Sequence, residues 1–250
     1  MPFKRNAVLA ALPRKILLEM RPHLTPVTLT FGEVLYQSGK PMKDVYFPAR
    51  CLVSLLVVLE DELALEVALV GHEGMLGVPL ALGARLSPVR ALVQGAGDAL
   101  RMNAAQFLLM MGEHPLLQRA VFGYAGVLMG QIAQTAACNR FHLLEPRLAR
   151  WLLMTRDRLG CEDFRMTQEF LSTMLGVRRV GVSDAASSFQ RQHLIEYSRG
   201  HITILDHDGL EAASCSCYGR GVAGQPPVVR WRPQPLHAPK AHKSPPALAI

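Results

Sequence analysis

The sequence lacks an apolar run long enough to cross a bilayer, which takes about 20 predominantly apolar residues. The most apolar stretch, residues 51–70, is interrupted by Glu60, Asp61, Glu62 and Glu66. The N-terminus is basic and then apolar, as in a secretory signal, but no small-residue cleavage pattern follows. We therefore expect a cytoplasmic protein with an N-terminal helix.

Enzyme motifs are missing as well. The sequence has no glycine-rich phosphate loop, no G-x-S-x-G and no H-E-x-x-H. Asp206 and Asp208 lie in LDHDG, which is more typical of a turn than of a catalytic pair. The sequence therefore predicts no catalytic site.

Cysteine is scarce and scattered, with five residues at Cys51, Cys138, Cys161, Cys215 and Cys217. An odd, scattered set predicts reduced thiols rather than a disulfide framework. Cys215-x-Cys217 differs from the C-x-x-C of zinc ribbons and has no second pair. These two thiols are expected to be exposed spare thiols, with a metal or thiol-redox role as the alternative, and no metal site is assigned.

Two further residues near position 140 have more than one interpretation. Cys138 either faces its twin across a dimer axis or is a small buried hydrophobe. His142 and Glu145 have an i, i+3 spacing without an evident third ligand, which favours a hydrogen bond at a helix end.

Acidic residues are absent from the last 32 residues, and this segment therefore supplies +5 of the chain's formal net charge of +7. Residues 219–250 contain five basic residues and no acid, so the first 218 carry 22 basic and 20 acidic residues. Prolines in the same segment predict a disordered tail. Any argument for nucleic-acid binding must therefore come from local geometry.

Short alternating segments bounded by Gly, Pro or Asp recur from Val27 to Asn103 and predict a small β-sandwich or barrel. A long helix follows from Leu116 to about Leu144. Its apolar residues recur every three or four positions, at Leu117, Val121, Tyr124, Leu128, Ile132 and Thr135. This stripe indicates either a core helix or a dimerisation helix, and the length of the helix favours dimerisation.

Residues 167–195 contain two helical patterns separated by Gly176. Thr167 is a good N-cap, and glycine adopts the positive φ of a sharp turn at little cost. A second helix from Arg178 and the hairpin EYSRGHITIL complete a winged helix-turn-helix. Arg178 and Arg179 begin the helix that enters the major groove in such domains, although a solvated surface pair is the alternative.

The order of these elements resembles the Crp/Fnr family of bacterial transcription factors (cyclic-AMP receptor and fumarate-nitrate regulator type), and MTQEFLSTMLGVRRVGVSDAASSFQRQHLIEYSRGHITIL carries the best match. The resemblance implies an α+β fold with a cyclic-nucleotide-binding-like β-roll (jelly roll). The implied units are a β-roll sensor domain at 1–111, a dimerisation helix at 112–144, a winged helix at 145–214 and a disordered, proline-rich basic tail at 215–250.

The resemblance also implies a homodimer that binds a pseudo-palindromic operator in double-stranded DNA and contacts RNA polymerase. The implied DNA contacts are Thr167, Gln168, Arg178, Arg179, Val180, Ser183, Asp184, Arg199 and His201. Many members read bases with a Glu and a Ser-Arg pair, whereas Val180, Ser183 and Asp184 occupy those positions here. The operator therefore cannot be copied from better-known members.

The sensor departs further from the family. Val89 stands where cyclic-nucleotide binders have the phosphate-binding Arg, and no Cys precedes Cys51 to supply an iron-sulfur cluster. A cyclic nucleotide is thus not expected, and no cofactor is assigned. An effector pocket would contain Glu73, Met75, Arg85 and Arg90, unless the β-roll only supports the dimer. The alternative function is a ligand- or protein-binding dimeric scaffold whose helix-turn-helix does not bind DNA.

Overall fold

The structure is a computed structural model that describes residues 5–59 and 63–218. The acids at 60–62 and the predicted basic tail from Gly219 lie outside the described residues. Within these two ranges, no helix combines the length and the apolar character needed to span a membrane.

The N-terminal part is a β-roll of antiparallel strands preceded by short helices. The helices are α1 (Ala7–Ala10) and α2 (Arg14–Met20), followed by the 3₁₀ turn Arg21–His23. The strands are β1 (Thr25–Leu29), β2 (Val34–Tyr36), β3 (Asp44–Pro48), β4 (Leu52–Val58), β5 (Ala64–Val70), β6 (Arg90–Gly95) and β7 (Gly97–Asn103), with α3 (Val78–Ala81) between β5 and β6. They form two sheets, in the orders β1-β7-β3 and β2-β6-β4-β5.

The core of the β-roll follows from the alternation of its strands. In β3, Val45 and Phe47 are fully buried, while Tyr46 between them is half-buried. Phe47 meets Phe107 of the next helix edge to face, with ring centroids 6.5 Å apart. Burial of every second residue therefore sets which face of the strand points into the core. The contact between Phe47 and Phe107 anchors the first helix after the sheets.

Three helices follow the β-roll: α4 (Ala104–Glu113), α5 (Pro115–Phe141) and α6 (Leu144–Leu159). Asn103 caps α4 by accepting a 2.9 Å hydrogen bond from the Ala105 amide. Pro115 occupies the first position of α5, where a missing N–H costs nothing. The long helix predicted from Leu116 is confirmed.

The predicted apolar stripe of α5 is mainly a core stripe. Leu117, Val121, Tyr124 and Leu128 are buried in the β-roll core. On other faces of α5, Met129 is 67% exposed, and a Cβ added at Gly126 or Gly130 would meet nothing within 4 Å. The core interpretation thus applies to these four residues of the predicted stripe, whereas Ile132 is 37% exposed and Thr135 is half-buried. In addition, α5 has a second, exposed apolar stripe.

The C-terminal part is a winged helix with its own core. After α6 come β8 (Asp163–Arg165), α7 (Gln168–Leu175), α8 (Arg179–Arg191), β9 (Ile195–Ser198), β10 (His201–Ile204) and α9 (His207–Ala213). The three strands pair in the order β8-β10-β9. The core includes Trp151, Leu171, Val182, Phe189 and Ile202. The predicted α+β fold is confirmed.

The end of the described chain corrects one prediction. Cys215 is 6% exposed and Cys217 is 4% exposed, so these thiols are buried rather than exposed. The Cys215 amide donates a 3.2 Å hydrogen bond to the Pro146 carbonyl in α6. The packed chain therefore continues past α9 to Tyr218, beyond the boundary predicted at residue 215.

Candidate nucleic-acid interface

The turn between α7 and α8 forms for the reasons that its sequence suggested. Thr167 Oγ1 accepts a 3.2 Å hydrogen bond from the Phe170 amide, which makes Thr167 the N-cap of α7. Gly176 ends this helix at φ 63° and ψ 42°. A Cβ at Gly176 would lie 2.7 Å from Leu65 Cδ1 in β5. Glycine is thus favoured by backbone conformation and by space.

The N-terminus of α8 presents positive charge to solvent. Arg178 is its N-cap residue and Arg179 its first helical residue, and both are exposed. In the part of the chain that the structure describes, no side chain caps this end of α8. Its first amides and two guanidinium groups can therefore all meet a phosphate.

The outward face of α8 contains the other predicted readers. Val180 is 64% exposed and Asp184 is exposed, whereas Ser183 is half-buried, with its Oγ 3.4 Å from Gln168 Nε2. The opposite face packs into the domain through Val182, Ala185, Ala186 and Phe189. Ser187, one turn beyond Ser183, is exposed on the same face.

A groove between α7, α8 and the wing brings four predicted contacts together. It is lined by Thr167, Gln168, Glu169, Arg179, Gln190, Tyr197, Arg199 and Gly200. At the tip of the wing, Arg199 and Gly200 have φ values of 50° and 79°, as in the tight turns of β-hairpins. The groove is open, polar and rimmed by two arginines.

The other four lining residues, Glu169, Gln190, Tyr197 and Gly200, were not predicted as contacts from the sequence. Tyr197 is half-buried, and burial raises the pKa of its phenol, an effect that nearby Arg179 opposes. Arg179 therefore lies near Tyr197 of the wing. The alternation of β9 could have placed Tyr197 on one face, but its proximity to α8 depends on the tertiary fold.

His201 stands apart from the other predicted contacts. It is exposed on β10, where it pairs with Arg165 and Ser198, and it is not among the residues that line the groove. Its Nδ1 lies 3.9 Å from Asp163 Oδ1. A DNA contact by His201 stays a prediction.

The residues predicted for an effector pocket have separate surroundings. Glu73 is buried in an ion pair, with Arg158 Nε 2.8 Å from its Oε1. Met75 is 1% exposed in the β-roll core. Arg90 Nε donates a 3.2 Å hydrogen bond to Gln37 Oε1, and Arg85 is exposed. Glu73 thus joins the β-roll to α6, and its carboxylate is already engaged.

A second buried carboxyl group lies at the same junction between the β-roll and α6. Trp151 Nε1 donates a 2.8 Å hydrogen bond to Glu66 Oε1, and Ser54 Oγ lies 2.7 Å from Glu66 Oε2. Burial raises the pKa of Glu66 to about 7, although these hydrogen bonds and the nearby Arg158 and Arg150 lower it. A proton-binding group is thus buried between the two units.

The fold and the groove define the class as a β-roll protein with a C-terminal winged helix. Residues 146–213 match the family model of the Crp-like helix-turn-helix domain. A search of the curated proteins found no match.

Several solved structures share the fold. A structure assigned to the Crp/Fnr regulators, from Eubacterium rectale, has a TM-score of 0.66 at 15% identity, covering 82% of this chain and 96% of that chain. A Crp/Fnr transcriptional regulator from Thermus thermophilus has a TM-score of 0.64 at 20% identity, covering 76% of this chain and 98% of that chain. The c-di-GMP responsive regulator CLP of Xanthomonas campestris has a TM-score of 0.64 at 12% identity, covering 77% of this chain and 99% of that chain.

Residues 146–213 thus contain a Crp-like helix-turn-helix domain, and the described chain shares the fold of Crp/Fnr regulators, in agreement with the resemblance that the sequence carries. The Crp/Fnr structures that share the fold are described as transcriptional regulators.

Proposed function

We propose that the protein is a cytoplasmic, homodimeric regulator that binds DNA sequence-specifically. The observation that carries this proposal is the uncapped, doubly basic N-terminus of α8 beside the polar groove of the wing. With α8 in the major groove, Arg178 and Arg179 can contact phosphates or the O6 and N7 atoms of guanine. Thr167, Gln168 and Arg199 would contact the flanking backbone.

The exposed stripe of α5 supports the dimer. Phe122 and Met129 are 43% and 67% exposed, and the surface at Gly126 and Gly130 is open. Small residues between large apolar ones allow two helix backbones to approach closely. Two copies joined along α5 would present two recognition helices to half-sites about one DNA turn apart.

The contacts between the β-roll and the winged helix support allosteric control. Gly176 packs against Leu65 of β5, and Arg158 of α6 pairs with Glu73. A signal that moves β5 or α6 would therefore change the position of α8. No effector is assigned, and Arg85 and Arg90 are the predicted pocket residues that stay available for one.

The first test is selection of bound sequences from random duplex DNA, with the purified protein at near-physiological salt. We expect a two-fold symmetric motif whose affinity falls steeply with salt, because phosphate contacts release counterions. A folded dimer that enriches no sequence, with or without cell extract, would favour the scaffold function instead.

The second test assigns the contact to α8. Arg178→Ala and Arg179→Ala should each weaken binding to the selected site by about 1–3 kcal/mol while leaving the thermal unfolding temperature unchanged. Arg14→Ala is the matched control, because Arg14 is exposed on α2 and its loss changes the net charge equally. Equal affinities for all three variants would contradict the proposed docking.

A further inference from the structure

Three thiols and one imidazole converge where α5 ends. Cys138 lies in the last turn of α5, and His142 is its C-cap residue. Cys215 and Cys217 reach them from the segment after α9, more than 70 positions away along the chain. The four ligand atoms all lie within 4.8 Å of one another. We call these four residues the thiol cluster.

The spacing within the thiol cluster fits a tetrahedral metal ion. Cys138 Sγ and Cys215 Sγ are 3.5 Å apart, as are Cys217 Sγ and His142 Nδ1. Ligands at the usual Zn–S and Zn–N distances stand about 3.8 Å apart as a sulfur pair and about 3.6 Å apart as a sulfur–nitrogen pair in a tetrahedron. Side-chain movements of about 1 Å would bring the widest separation to these values.

The surroundings of the thiol cluster resemble those of a structural metal centre. Cys138, Cys215 and Cys217 are all buried and free of disulfides. Gln134 Nε2 donates a 2.9 Å hydrogen bond to Cys217 Sγ. Such donors to a ligating sulfur orient the ligand and stabilise its negative charge. The set of three thiols and one imidazole with no open position is typical of structural Zn²⁺.

A charge imbalance next to the thiol cluster is a separate observation. Arg147 and Arg150 line one pocket together with Cys138 and the carboxyl group of Glu66, so two guanidinium groups face at most one carboxylate there. Their Nε atoms are buried without a hydrogen-bond partner, and neither guanidinium forms an ion pair within residues 5–59 and 63–218. Three thiolates around Zn²⁺ would carry a net charge of about −1 and would compensate this positive charge.

We propose that the thiol cluster binds one Zn²⁺ ion per chain. The ion would join the end of the long helix α5 to the chain segment that leaves the winged helix. Because Cys215 also bonds to Pro146 in α6, the site would fix the α5–α6 junction about which the DNA-binding domain is oriented.

The test is the metal content of the full-length protein, purified under reducing conditions and measured by inductively coupled plasma mass spectrometry. We expect about one zinc per chain. The double variant Cys215→Ser/Cys217→Ser should lose the metal. Cys161→Ser should keep it, because Cys161 is exposed and outside the thiol cluster. Circular dichroism verifies that each variant is folded.

A second measurement does not depend on whether the double variant folds. Replacing the metal of the wild-type protein with Co²⁺ should give thiolate-to-cobalt charge-transfer absorption and the intense d–d bands of a tetrahedral site. A folded wild type that stays metal-free after zinc addition would overturn the proposal. Full zinc in the double variant, a Cys138–Cys215 disulfide, or stoichiometric iron in place of zinc would each do the same. These results are independent of DNA binding.

Discussion

The carboxyl group of Glu66 should make the stability of the protein depend on pH. Ser54 Oγ lies within hydrogen-bond distance of both Glu66 Oε2 and Gln94 Oε1. A hydroxyl group has one proton, so it cannot donate to both oxygens. If Glu66 is neutral, it donates to Ser54, which donates to Gln94, and Gln94 Nε2 donates to Thr155 Oγ1 at 3.3 Å. When Glu66 is neutral, each of these hydrogen bonds across the junction therefore has one donor and one acceptor.

The sign and size of the effect follow from the pKa of Glu66. Burial, the largest cause, raises it from 4.5 to about 7 in the folded protein. Between these pH values the folded state holds a proton that the unfolded chain releases, so stability falls as pH rises through the window. At about 1.4 kcal/mol per pH unit, the free energy of unfolding falls by about 3 kcal/mol across this window, and the whole of this contribution is lost above pH 7.

The substitution to make is Glu66→Gln, which keeps the shape and removes the titration. Urea unfolding at pH 5, 6, 7 and 8 should show wild-type stability falling across the window while the variant stays nearly constant. The fluorescence of Trp151, whose indole contacts Glu66, reports this junction directly. Glu211→Gln is the control, because Glu211 is exposed on α9. The same pH slope in wild type and Glu66→Gln would refute the reasoning.

Two other predictions address the turn and the dimer. Gly176→Ala should lower the free energy of unfolding in a denaturant titration by about 2 kcal/mol or more, because alanine is strained at this positive φ and its Cβ would meet Leu65. The control is Gly112→Ala, in a helical position with open space. It should be neutral or stabilising in the same titration. Met129→Glu should shift the protein from dimer to monomer in analytical ultracentrifugation, because it places a charge in the exposed stripe of α5, whereas a Leu18→Glu control on α2 should not. A stable Gly176→Ala protein would contradict the first expectation, and a dimeric Met129→Glu protein the second.

The winged helix could be predicted from the sequence because its signals are local. The Thr167 cap and the positive φ of Gly176 depend on residues a few positions apart. The exposed arginines at the start of α8 follow from the same short segment. Periodicity likewise indicates which side of α8 faces out.

The features missed by sequence analysis all depend on distant parts of the chain. The four members of the thiol cluster have no consensus spacing, and only the return of the chain after α9 brings Cys215 and Cys217 to Cys138. Glu73 was expected to face an effector, but α6 supplies Arg158 to pair with it. For α5, the periodicity gives an apolar face but not the surface that covers it, and here that surface is the β-roll.

The buried groups that could respond to a signal by gaining or losing charge lie at the junction of β5, α5 and α6. They do not lie in the segment predicted to hold an effector. One small pocket is lined by Glu66, Cys138, Arg147 and Arg150 together with Leu175 of α7. Arg147 also donates to the Leu175 carbonyl at the end of α7, directly before the turn that leads into α8. A change in the protonation of Glu66 or in the charge at Cys138 would therefore act on residues that hold the recognition helix. Under the proposed function, control of DNA binding from this pocket would need no ligand in the β-roll, which is consistent with Val89 standing where cyclic-nucleotide binders have the phosphate-binding arginine.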